Sequence, residues 1–255
     1  MRFRVPVIYT IGLIAGALLS TADADDRIRP AERSGYGDAM MGLLAKVKKT
    51  AWMQFVPPVR GAPKSRIAAG TRSSPERNGT VKPYLTILAP EETGFTISDQ
   101  PTVYWFVSKK PENKVIASVI DLSSGGAPLL RTDIVTPLRE GINALNLKDH
   151  GVRLNPKTDY LISVRVVVGN KPGHGDVAAS AYIRYENVRI PDTDAAESDV
   201  DAAQRLAVNG IWYDALHRLS KAIQSAPTEF QLREYRASLF EQVDLQPAAE
   251  YELKR

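Results

Sequence analysis

Three histidines are the side chains best suited to acid–base or metal chemistry near neutral pH, and they are His150, His174 and His217. None of them has a second histidine four residues away or the carboxylate spacing of a metal-binding helix. The spacing therefore predicts neither a metal site nor histidine-based catalysis. Two of the three fall in predicted turns, and His217 avoids the packing positions of its helix, so we expect all three to be exposed.

Other motifs with a known chemistry are equally incomplete. The glycine-rich stretch GNKPGHG at residues 169–175 lacks the terminal Gly-Lys-Ser/Thr of a phosphate loop and precedes a strand, so it predicts a hairpin turn. Glu91 and Glu92 are adjacent in a loop, which does not define a glycosidase pair. The chain has no cysteine and no Gly-x-Ser-x-Gly elbow. We predict no catalytic, cofactor-binding or metal-binding residue, and a protein that is not an enzyme.

Three consecutive aromatic residues, Tyr104, Trp105 and Phe106, could line a groove for a sugar or a peptide. Aromatic side chains within strands pack in the core more often than they bind ligands. Because the segment VYWFV is apolar on both faces, we expect a central strand, or a strand whose outer face is covered by another part of the chain.

The region that holds these aromatics, residues 79–190, has the pattern of a β-domain. Seven short segments rich in β-branched and aromatic residues are separated by turn signals, and the spacing favours a sandwich or a small barrel. We predict an antiparallel β-sandwich, immunoglobulin-like in the loose architectural sense. The segments are VKPYLTIL, PTVYWFVS, KVIASVID, PLLRTDIV, GINALNL, DYLISVRVVV and AASAYIRYENV.

Helical periodicity returns after this domain, over residues 191–255. Acidic residues open a first helix that ends at Asn209-Gly210, and two further helices are predicted at about 211–225 and 229–243. The second helix resembles the second helix of a tetratricopeptide repeat in its turn glycine, its aromatic and small packing residues and its terminal proline. These residues are Gly210, Trp212, Ala215, Leu219, Ala222 and Pro227.

This repeat-like unit is too short to stand alone. Each repeat buries its apolar face only against neighbours, and about three repeats are usually needed for stability. We therefore predict a three-helix unit that docks on the β-domain.

The first 24 residues have the order of a secretory signal peptide. Arg2 and Arg4 precede an apolar stretch, and small residues follow, with cleavage expected after Ala24. Over residues 25–78 we predict an amphipathic basic helix, which makes at most peripheral membrane contact, and then a linker rich in Gly, Pro, Ser and Arg. We predict a periplasmic or otherwise exported protein.

The net charge and the absence of a predicted catalytic or cofactor-binding motif indicate the expected class of partner. A net charge of +4 over 255 residues is not the footprint of a nucleic-acid-binding protein. We expect a module that binds another exported or membrane-anchored protein. The alternative is a β-sandwich that binds a small ligand or a polysaccharide, which a contiguous apolar or aromatic groove would favour.

Three segments together resemble a bacterial family catalogued as domain of unknown function 928. They are GTR at 70–72, LTILAPEETGFTISDQPTVYWFVS at 85–108 and NGIWYDAL at 209–216, and the resemblance covers roughly residues 65–245. The chain departs from the family pattern at Tyr104-Trp105-Phe106 and at Arg72-Ser73-Ser74. The resemblance implies an exported protein and supplies no activity, cofactor or catalytic residue.

Overall fold

The computed structural model of the chain describes residues 53–58, 65–68, 83–135, 137–167, 176–190 and 197–255. The predicted signal peptide, the turn with His174 and most of the predicted basic helix lie outside the described residues. The end of that helix, residues 53–55, is described and is not helical, so the prediction is wrong there. All the described residues belong to one compact unit.

Eight β-strands are found among the described residues. Each of the seven predicted segments coincides with one strand, and an eighth strand, of three residues, was not predicted. The strands are β1 (Leu85–Ile87), β2 (Gly94–Thr96), β3 (Thr102–Val107), β4 (Val115–Asp121), β5 (Pro128–Asp133), β6 (Gly141–Asn146), β7 (Asp159–Val166) and β8 (Val177–Tyr185).

The strands form two sheets. One has the order β1-β3-β6, with both pairs antiparallel, and the other has the order β2-β8-β7-β4-β5. The unpredicted strand β2 runs parallel to β8, so the prediction of an antiparallel arrangement is wrong for that pair. The remaining pairs of the five-stranded sheet are antiparallel.

One face of the five-stranded sheet is buried, as the alternation of apolar residues in β7 and β8 requires. Ile162, Val164 and Val166 in β7 are buried, together with Val177 and Ile183 in β8. Strand β3 is the central strand of the other sheet and is buried from Val103 to Val107, which confirms the prediction made from VYWFV. Tyr104, Trp105 and Phe106 are therefore core residues.

Four α-helices follow the sheets in the described part of the chain, where the sequence predicted three. They are α1 (Asp199–Val208), α2 (Trp212–Ser225), α3 (Phe230–Glu241) and α4 (Gln246–Leu253). The fourth helix has proline in its first turn, a position where the missing N–H costs nothing. The sequence predicts a last helix that ends at about residue 243, before this proline, so the prediction of three helices is wrong. The coarser class, β plus α, is confirmed.

The helices pack directly against the three-stranded sheet and its connections. The Trp212 indole Nε1 donates a hydrogen bond to the Leu88 carbonyl at 2.8 Å, and the Phe106 and Tyr251 rings meet edge to face at 5.5 Å. Strand β3 thus has side chains of α2 and α4 against its outer face. No helix of the described residues is long and apolar enough to cross a bilayer.

A short segment near the start of the described chain also joins this core. Met53 and Phe55 are buried, and the Phe55 ring packs edge to face on Trp212 at 4.9 Å. The Gln242 side chain bonds the backbone of two residues of the segment: its Oε1 accepts from Phe55 N–H at 2.9 Å, and its Nε2 donates to the Met53 carbonyl at 2.8 Å. The segment 53–58, which falls in the predicted leader and linker, therefore packs against the C-terminal helices.

Candidate functional site

The six residues of the repeat-like motif lie on and around α2. Trp212, Ala215 and Leu219 are fully buried, Ala222 is partly buried, and Pro227 is exposed after the helix ends. Gly210 has a φ of +77°, and a Cβ there would lie 3.1 Å from the Val56 carbonyl oxygen. The buried members of the motif pack internally, so they offer no surface to a partner.

The histidines lie apart from one another in the chain. His150 is exposed at the end of a 3-10 helix, Leu147–His150. The expectation that His217 is exposed is wrong: it is half-buried, and its Nδ1 lies 3.0 Å from the Tyr104 hydroxyl. The repeat pattern predicts which side of α2 packs against the other helices. It does not predict that a second side of α2, which carries His217, packs against strand β3.

Behind Tyr104 lies a buried polar cluster that the sequence analysis did not predict. The Arg236 guanidinium donates to the Ser220 hydroxyl at 3.0 Å and to Glu252 Oε2 at 2.8 Å. Both members of this ion pair are nearly inaccessible to water. The cluster links α2, α3 and α4, and it accounts for the charged residues in the helical core.

A small polar pocket of about 200 Å³ opens beside His217. Asp214 lines it and accepts a hydrogen bond from the Ile97 N–H at 3.1 Å, and burial raises the pKa of this carboxyl. Burial, with help from the positive Lys221 and Arg218, lowers the pKa of His217. The Asp214 and His217 side chains are each hydrogen-bonded to a residue outside α2. No cluster of three metal-ligating side chains occurs in the described part of the chain.

The pKa of His217 makes stability depend on pH. Because its folded-state pKa lies below 6.5, the unfolded chain binds this proton more tightly, and the stabilisation present above pH 6.5 is lost on acidification. We expect the unfolding free energy to fall less steeply below pH 6.5 in His217→Gln than in the unaltered protein. Lys221 and Arg218 oppose protonation, Asp199 favours it, and Tyr104 is the hydrogen-bond partner.

Urea unfolding between pH 5 and 8 measures this slope. His150→Gln is the matched control, since the same substitution is made at an exposed histidine, and it should retain the slope of the unaltered protein. Identical slopes for the unaltered protein and the His217 variant would contradict the assignment.

An open concave surface lies on the other face of the five-stranded sheet. Ser118, Ser163 and Ser180 occupy directly opposed positions in β4, β7 and β8, so three small residues form one row across the strands. The row continues to Arg131 in β5 and to Ile67, which pairs with Ser180 through two backbone hydrogen bonds of 2.8 Å. The Ser118 and Ser163 hydroxyls are 2.7 Å apart.

Larger side chains flank this serine row and make the surface concave. Ile116 and Arg165 lie two residues away on one side, and Ile120 and Leu161 lie two residues away on the other. The groove has a volume of about 600 Å³. We refer to it as the sheet groove, and it is lined by Ile67, Ile116, Ser118, Ile120, Gly126, Pro128, Arg131, Leu161, Ser163, Arg165 and residues 178–180.

Charged groups on this face are largely paired with each other. The Arg165 guanidinium lies 3.4 Å from Asp176, and the Arg184 guanidinium donates to Asp159 at 2.6 Å. The serine hydroxyls form the floor of the sheet groove, and mainly aliphatic side chains form its walls. No aromatic side chain occurs among the described residues that line the groove.

The serine row could not be found from spacing along the chain. The available signal was a serine near the centre of each of three largely apolar strands. Only the register of these strands shows that the three serines lie side by side. The aromatic triplet that the sequence singled out as a possible groove lining is buried elsewhere.

Comparison with known proteins gives one family. The family described as Domain of Unknown Function (DUF928) matches residues 67–253, which is more than half of the chain. No curated protein matches the chain.

Proposed function

Because the chain belongs to the DUF928 family, whose description states no activity, we propose its function from its surface: a non-enzymatic module that binds a segment of another exported or membrane-anchored protein. The observation that carries this proposal is the sheet groove. It has a volume of about 600 Å³, and its walls include aliphatic side chains that burial against a partner would remove from water.

The shape of the groove suits a polypeptide. The flanking rows are four residues apart along each strand, which is about 13 Å at 3.3 Å per residue. A peptide chain or one side of an α-helix, whose full diameter is about 10–12 Å, fits between such walls. Aliphatic side chains of the partner would contact Ile116, Ile120 and Leu161, and its backbone polar groups would bond the serine hydroxyls.

The finer architecture belongs to the same proposal. Inward side chains of both sheets, among them Ile87, Trp105 and Ile162, belong to one hydrophobic cluster, which supports a sandwich. The same cluster includes Trp212 and Leu219, which supports a repeat-like helical unit that serves as a buttress rather than a binding surface. Export rests on the order of residues 1–24.

A small-ligand site is the second candidate, because about 600 Å³ falls within the usual range for such sites. A polysaccharide is less well supported, since sugar rings are commonly held against aromatic faces and the described lining has none.

Blocking the groove tests the proposal. Ser163→Tyr places a large ring at the centre of the floor, and we expect capture of the partner from envelope extract to fall at least tenfold. Ser225→Tyr is the matched control, because the same change at the exposed end of α2 leaves the groove open. Equal capture by both variants would overturn the proposal, and native mass spectrometry that detects a bound small molecule instead would favour the second candidate.

A further inference from the structure

The edge of the five-stranded sheet carries exposed apolar residues. Strand β5 lies at the end of the strand order and pairs with β4 on one side. Leu129 is 46 % exposed and Val135, just beyond the strand, is 90 % exposed. A sheet edge with unpaired backbone groups is a template for another strand.

The hydrogen bonds to β4 show which backbone groups point outward. Ile134 N–H donates to the Val115 carbonyl at 2.8 Å, so Ile134 directs its backbone groups toward β4. Because these directions alternate in an antiparallel ladder, Arg131 and Asp133 direct theirs away from the sheet. They are the groups that an added strand would bond.

We infer that this edge pairs with a second copy of the chain, with β5 antiparallel to β5 about a two-fold axis at Thr132. In this register Arg131 is directly opposite Asp133 of the second copy, and the symmetry makes the ion pair twice. Leu129, where the register between β4 and β5 shifts, lies on the same edge as Val135 of the second copy, so the pairing brings these exposed apolar residues close together. Such a self-complementary contact is what a two-fold symmetric interface requires.

Charge selects this register over its neighbours. A shift by two residues would place Arg131 against Arg131 or Asp133 against Asp133, and like charges directly opposite are destabilising. Asp133 is already paired with Lys114 at 2.6 Å, but both side chains are about half exposed, which leaves the Asp133 carboxylate accessible.

The pairing would join two five-stranded sheets into one continuous sheet. Directly opposed residues of antiparallel strands lie on the same face, so the two sheet grooves would lie on the same side of that sheet. If the sheet groove binds a protein segment, as proposed above, the dimer presents two such sites to one partner, which increases the apparent affinity. The dimer itself does not depend on that function.

A single cysteine tests the contact, because the chain has none of its own. Thr132→Cys places two thiols across the two-fold axis, at the side-chain positions that are closest in an antiparallel pair. Under mild oxidation we expect a disulfide-linked dimer in most of the purified chain. Ser225→Cys, at an exposed helix end, should cross-link at least tenfold more slowly, and equal rates would overturn the inference.

Sedimentation provides an independent measurement. The unaltered chain should sediment as a dimer. Arg131→Glu should raise the dissociation constant of the dimer by about tenfold or more, because it places a carboxylate directly opposite Asp133 of the other copy at both symmetric positions. Thr132→Ser, a neutral change at the same edge, should leave the dissociation constant within about threefold. A monomer at every concentration, or a dimer unaffected by Arg131→Glu, would overturn the inference.

Discussion

Replacing Glu252 with alanine is expected to destabilise the protein by about 3–5 kcal/mol, the range for breaking a buried ion pair from one side. Glu252 Oε2 accepts from Arg236 at 2.8 Å and 3.2 Å, and both side chains are nearly buried. Removing the carboxylate leaves the Arg236 charge in the core with Ser220 as its remaining side-chain partner in the described structure.

Glu250 offers a matched control on the same helix. It pairs with Lys254 at 3.5 Å, but both side chains are largely exposed, so Glu250→Ala should cost about 0.5 kcal/mol or less. Urea unfolding monitored by circular dichroism measures both changes. The double variant Arg236→Met with Glu252→Leu should be less destabilised than Glu252→Ala alone, because no charge is left unpaired. Equal costs for the two alanine variants would contradict a buried role for Glu252.

Replacing Leu219 with alanine is expected to cost about 2–5 kcal/mol, because it removes a large aliphatic side chain from a site with no solvent exposure. Leu253→Ala is the control: the same substitution at a leucine that is 37 % exposed, on the last residue of α4, should cost about 1 kcal/mol or less. A silent Leu219 variant would show that α2 does not pack as described.

The same unfolding curves test whether the helices and the sheets fold as one unit. Trp105 lies in β3 and Trp212 in α2, and both belong to one hydrophobic cluster. Tryptophan fluorescence and circular dichroism should therefore report a single coincident transition, shifted equally by Leu219→Ala. Two separated transitions would indicate that the helices are independent of the sheets.

Much of the fold was predictable because one face of each element is buried. Alternation in segments such as DYLISVRVVV identified the strands, and the proline and glycine signals identified the breaks between helices. Strand β2 was missed because its three residues, GFT, lie among turn-forming residues without the longer apolar pattern that surrounds β1. Its parallel pairing with β8 also joins segments far apart in the chain. α4 was missed because the last predicted helix ends at about residue 243, although the predicted helical region continues to residue 255.

Side-chain surroundings were less predictable than the elements. His217 was assigned to the outer side of α2 because a repeat pattern describes contacts between helices and not between a helix and a sheet. The sequence analysis placed apolar residues in the core and charged residues at the surface. It therefore did not predict that Arg236 and Glu252, which lie on two different helices, form a buried ion pair. The serine row needed the register of three strands, which depends on long-range pairing.

The bonds between Gln242 and the segment 53–58 also bear on the order in which the chain can fold. Phe55 N–H and Gln242 are separated by 187 positions, so this contact cannot form until nearly the whole chain has been synthesised. Contacts of such long sequence separation carry a high loop-closure cost and slow folding. A nascent chain that ends before Gln242 already holds Trp212, on which the Phe55 ring packs, but it lacks both bonds to the Gln242 side chain. Truncation before Gln242 would therefore remove the polar contacts that fix the backbone of Met53 and Phe55.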